Sequence, residues 1–121
     1  MRVPLVRNNI DLVLFNGDFE QTGKKMIGDA SAYVALGELK GGIDPGGADE
    51  HWKTASTALN RIRESFAKHN LKPHTFFIGA AIETRMAEDI WAMLETGVIE
   101  NAGNLTDEKQ LAAVARWICS L

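Results

Sequence analysis

Apolar residues along the chain fall into runs whose spacing separates strands from helices. Ile10 to Phe15 is short, apolar and partly β-branched, and Asn16-Gly17-Asp18 closes it, which predicts a strand and a turn. Between Ala32 and Lys40 the pattern alternates. Tyr33, Ala35, Gly37 and Leu39 share one face, and Val34, Leu36, Glu38 and Lys40 the other, as in a second strand, antiparallel to the first. From Asp49 to His69 the period lengthens. Trp52, Ala55, Leu59, Ile62 and Phe66 recur at three- and four-residue steps with Lys53, Arg61, Arg63 and Lys68 between them, so an amphipathic helix is expected. Asp49 is its expected N-cap, and Asn70 and Pro73 end it. Thr75 to Ile82 predicts a buried strand. Met86, Ile90, Met93 and Leu94 predict a helix closed by Gly97, and Thr106-Asp107-Glu108-Lys109 opens a last helix with Leu111, Val114, Ala115 and Ile118 on its apolar face.

Two stretches carry no period. Phe19 to Ala30 reads as a connecting loop, and Gly41 to Asp49, with four glycines and a proline in nine residues, is not expected to hold regular structure. The expected order is strand, strand, helix, strand, helix, helix. That is an α/β (α+β) domain with a small mixed β-sheet flanked by helices, lacking the repeated βα units and Gly-rich first turn of a dinucleotide fold.

Composition narrows the setting. At 121 residues the chain is the size of one domain, and its 45% apolar and 24% charged residues are those of a globular protein. No stretch approaches the roughly 20 apolar residues of a bilayer helix, and residues 1–7 are too few and too polar for a signal peptide. The single cysteine, Cys119, excludes an internal disulfide and a multi-cysteine zinc site, so a cytoplasmic location is expected. A net charge of −3 argues against coating phosphates by bulk electrostatics. It suits carboxylates that hold a divalent cation.

The candidate chemistry lies at Glu38-Leu39-Lys40, at the end of a predicted strand with the glycine-rich stretch directly after it. A period of two puts carboxylate and ammonium on one face, where the acid can hold Mg²⁺ and Lys40 can steer a water. A second acid is needed, and Asp11, flanked by apolar residues on the preceding strand, is the first choice; an alternative for Asp11 is a cap or a pair with Arg7. Asp29, in a loop nine residues before Glu38, is the rival. Acid-any-Lys alone is a weak signal, since Asp107-Glu108-Lys109 repeats it at a helix start. A surface ion pair is the bland reading of Glu38 and Lys40.

The run from Leu36 to Ala55, LGELKGGIDPGGADEHWKTA, closely resembles the active-site segment of type II restriction endonucleases of the PD-(D/E)xK superfamily, nearest the AvaI/BsoBI group. The likeness lies in an Asp on the preceding strand, Glu-any-Lys on the next, and a His 11 residues after the Lys, here His51. The 27-residue spacing from Asp11 to Glu38 is of the expected size, while Asn9-Ile10 replaces the Pro that gives the superfamily its name. The resemblance implies that Asp11, Glu38 and the Leu39 carbonyl bind Mg²⁺, and that Lys40 and His51 activate the attacking water. It implies double-stranded DNA as substrate, a homodimer with one site per strand, and a place in a restriction–modification system.

Members of the group are about two to three times longer. Residues 1–121 are therefore expected to form a single catalytic-core domain, as a fragment, a minimal form or a degenerate remnant of a longer nuclease. Two other classes stay open: a structure-specific repair or resolvase-type nuclease, and a non-catalytic DNA-binding or assembly module. Lys24-Lys25 and Arg61-Arg63 are phosphate contacts or solvated faces. Trp52, Trp91 and Trp117 are spaced as core residues.

Overall fold

A computed structural model of the chain describes the backbone of residues 1–42 and 45–121, and the side chains of these apart from residues 19, 22, 45, 46, 48 and 49. The elements run β1 (Arg2–Val3), β2 (Asn8–Asn9), β3 (Leu12–Phe15), α1 (Phe19–Ile27), a 3₁₀ turn (Ala30–Ala32), β4 (Tyr33–Lys40), α2 (Pro45–Ala67), β5 (His74–Gly79), α3 (Thr84–Thr96), β6 (Asn101–Asn104) and α4 (Glu108–Ser120). β1 and β2 form a small hairpin, and the main sheet has the order β3-β4-β5-β6. β3 pairs antiparallel with β4, whereas β4–β5 and β5–β6 are parallel, so the sheet is mixed as expected.

Helices cover both faces of this sheet. Leu36 and Phe77 point to the side where Ala55, Leu59, Ile62 and Phe66 of α2 and Met86 and Ile90 of α3 close the larger core. Ala35, Phe76 and Ile78 point to the other side, against Val114 and its α4 neighbours Leu111, Trp117 and Ile118. From Ala35 onward the alternation read along β4 becomes two packing surfaces, with Glu38 on the α2 side beside Leu36. Tyr33, expected on the face of Ala35, instead packs against Phe66 on the α2 side, where the β3–β4 register is irregular. Gly37 has its own reason. A Cβ there would lie 2.3 Å from the Phe76 ring, so the glycine is the space the phenyl group occupies.

Four expectations change. Residues 19–27 form a helix: the Asp18 carboxylate accepts the Glu20 N–H at 3.0 Å, Glu20 lies in the first turn and Lys24 and Lys25 in the last, matching the helix dipole. Among its described side chains, Gly23 and Met26 are the buried ones. α2 starts at Pro45, which puts Asp49 inside the helix and not at its N-cap. A proline suits a first helical position, where its missing N–H is no loss. Of the stretch expected to be irregular, residues 43 and 44 lie outside the described residues.

The third change is β6, Asn-Ala-Gly-Asn, which no strand pattern announces; it makes β4-α2-β5-α3-β6 two successive parallel βα units. Gly103 lets α4 close on this strand, since a Cβ there would stand 2.9 Å from Val114 Cγ2. Finally, Trp91 is no core residue. It is 64% exposed, with its Nε1–H donating to Glu95 Oε1 at 2.6 Å, while Trp52 is buried and Trp117 is half-buried against the rings of His74 and Phe76.

Candidate active site

β4 and β5 are parallel, and a parallel sheet presents functional groups beyond the carboxyl ends of its strands. Glu38 and Lys40 stand at that end of β4, in register with Phe77 and Gly79 of β5. Glu38 is 3% exposed, one of two buried polar residues among those described, and its Oε1 has no hydrogen-bond partner. Lys40 Nζ lies 3.7 Å from Glu38 Oε2 and 4.0 Å from Asp11 Oδ2. The same-face reading of acid-any-Lys is therefore what the structure contains.

Asp11 reaches the site differently from the expectation. It precedes β3 in a bend, and its side chain is 41% exposed. What holds it is a hydrogen bond from the Leu39 N–H to Oδ2, 2.9 Å long. This carboxylate caps an amide of β4 just beyond the last β3–β4 register pair, Leu12 with Gly37, and so brings two distant acids together. Burial, then the negative charge of Asp11, push Glu38 up to about 7 from an ordinary 4.5, with Lys40 opposing.

Two carboxylates thus share one ammonium, and one of them has a buried, unsatisfied oxygen. That donor set fits a hard divalent cation, which oxygen ligands prefer. Among the described residues no three His, Cys, Asp or Glu side chains gather into a group that could hold a metal ion.

Asp29 is elsewhere. Its Oδ1 accepts the Ser31 N–H at 3.0 Å and the Ser31 hydroxyl at 2.7 Å, capping the 3₁₀ turn, and these bonds hold its carboxyl below the usual range. That turn leads into β4 at Tyr33, five residues before Glu38, or roughly 16 Å at strand rise. His51 stands not at the helix start but in the second turn of α2, with its ring against the glycine backbone beyond Lys40. A Cβ on Gly42 would meet its Cε1 at 3.3 Å, and one on Gly47 would meet it at 3.6 Å. Sequence reasoning passed over Asp89 and Phe77, which touch Trp52 beside His51. Their signal in the sequence, an Asp on a helix and a Phe in an apolar strand, is too common to single out.

A family model described as restriction endonuclease BsobI matches residues 1–121, the whole chain. The chain belongs to the BsobI restriction endonuclease family. Among its relatives, the type II restriction enzyme AvaI of Nostoc sp. (strain PCC 7120 / SAG 25.82 / UTEX 2576) is 54% identical over 121 residues, 100% of this chain and 38% of that protein. AvaI of Anabaena variabilis gives the same figures, 54% over 121 residues with 38% of that protein covered. The type II restriction enzyme BsoBI of Geobacillus stearothermophilus is 53% identical over 120 residues, 98% of this chain and 37% of the relative. The chain therefore spans under two-fifths of the length of these BsobI-family relatives. The mixed α/β architecture with its four-stranded sheet is consistent with a restriction-endonuclease-like fold.

Proposed function

We propose that the chain is the catalytic core of a Mg²⁺-dependent, site-specific endonuclease that hydrolyses phosphodiester bonds in double-stranded DNA. The observation that carries this reading is Glu38, buried beside a second acid with one oxygen unsatisfied, in a family of restriction endonucleases. In this reading Asp11 and Glu38 hold Mg²⁺, with the Leu39 carbonyl as a third protein donor. When bound, the ion supplies positive charge for the scissile phosphate and acidifies a coordinated water. Lys40, already between the two carboxylates, offsets negative charge on the phosphate and orients the attacking water. His51 takes the proton that this water loses.

Cutting both strands of a palindrome calls for two-fold symmetry, so a homodimer with one site per strand belongs to the proposal. So does work in the cytoplasm as part of a restriction–modification system; among the described residues no helix is long and apolar enough to cross a membrane. Plasmid DNA with Mg²⁺ tests the reading. Discrete linear fragments are expected, and none in EDTA or with Glu38→Gln. A smear replaces the site-specific reading with a structure-specific or non-specific nuclease, and intact plasmid replaces it with a non-catalytic module.

A further inference from the structure

The bond network beneath His51 extends away from the acids. Trp52, the next residue, is 3% exposed and wedged between the sheet and α3. Its ring meets Phe77 edge-on, with centroids 4.9 Å apart, and Phe77 is the register partner of Glu38. Its Nε1–H donates to Asp89 Oδ2 on α3, at 3.2 Å across 37 residues of sequence. An indole N–H only donates, so burying it requires an acceptor. Asp89, an otherwise exposed helix residue, is that acceptor.

Successive residues of a helix project about 100° apart. With Trp52 locked into the core, His51 is turned to the flank of α2, where its ring settles on Gly42 and Gly47. The roll of α2 about its own axis thus decides where the imidazole lies. A group about 6 Å from the axis moves roughly 1 Å for a 10° roll. Misplacing a reacting group by about 1 Å can cost up to about 100-fold in rate.

We infer that Trp52 and Asp89 are positioning residues for His51, their hydrogen bond setting the roll of α2 that seats the imidazole on Gly42. The catalytic consequence rests on the reading of His51 as the group that activates water; the placement does not.

The experiment measures the NMR cross-relaxation between the His51 Hε1 proton and the Gly42 Hα protons in the full chain, alongside plasmid cleavage. Variants are Trp52→Phe, which keeps a ring but loses the donor, Asp89→Ala, and Asp89→Asn, which keeps an acceptor. The contact is expected to fall by at least about half in the first two variants, with cleavage kcat down roughly 10- to 100-fold and KM for DNA unchanged. Asp89→Asn is expected to keep both within about two-fold, a rescue that a merely destabilising loss would not show. An undiminished contact in Asp89→Ala, which removes the acceptor and no apolar core side chain, overturns the inference. Equal loss in Asp89→Ala and Asp89→Asn overturns it too. His51→Ala with undiminished cleavage instead defeats the water-activating reading, and the cross-relaxation still decides the placement.

Discussion

A carboxyl group that is 3% exposed, its pKa pushed by burial up to about 7 from 4.5, is a folding penalty. Between those two pH values the folded state binds the proton that the unfolded state has released. Stability therefore falls as pH rises through that window, and the loss is complete above about 7. In the absence of a counter-ion it amounts to on the order of 3 kcal/mol. Glu38→Gln is expected to melt roughly 5 °C or more above the wild-type chain at pH 8 in EDTA, and close to it at pH 4.5, by scanning calorimetry. Mg²⁺ is expected to raise the wild-type melting temperature at pH 8 and to leave the variant nearly unmoved. A variant that melts lower at pH 8 would mean that burial of Glu38 costs the fold nothing. Of this site, Glu38 and Lys40 were legible from alternation alone, but the hydrogen bond from Leu39 to Asp11 was not, because it joins residues 28 apart through a bend.

Elements differed in how plainly the chain announced them. α2 and α3 were readable because burial is concentrated on one stripe, and Gly97, in the left-handed region at φ 76°, ends α3 as expected. α1 is stabilised by its cap and terminal charges, which a reading of apolar runs does not register. β6 is strand by position: its partner β5 and the helix above it create the slot that Asn101–Asn104 fills. Gly37 records a similar demand inside β4. Gly37→Ala is expected to cost roughly 1–3 kcal/mol in urea denaturation, as overpacking does, because an aromatic ring cannot slide out of a sheet. Adding Phe76→Leu should return part of that loss. If the double variant is no more stable than Gly37→Ala alone, the ring is not what the glycine accommodates.

For the molecule as a whole, the distribution of charge matters more than the net value of −3. The carboxyl end of β4 gathers two acids around one lysine. Arg61 and Arg63 lie sixteen or more residues along α2 from its start, or roughly 24 Å at helical rise, and Arg63 borders a cleft of about 220 Å³ with Lys72 and Glu100. Lys25 borders a different cavity with Asp29. By that helical rise Arg61 and Arg63 stand well along α2 from the end that follows β4. Arg61→Ala with Arg63→Ala is therefore expected to leave plasmid cleavage within about two-fold, measured at one fixed salt concentration. A drop of ten-fold or more would bring DNA onto that end of α2.

The unequal burial of the three tryptophans also gives the chain an internal optical record. Trp52, sealed from water between Phe77 and Asp89, emits from a buried surrounding. Trp91, 64% exposed, emits to the red of it and meets dissolved iodide freely. Iodide darkens the second and spares the first, so the light that survives comes mainly from the residue next to His51 and from half-buried Trp117. If Mg²⁺ is held at the acids as proposed, its addition is expected to change that protected emission, without any attached dye.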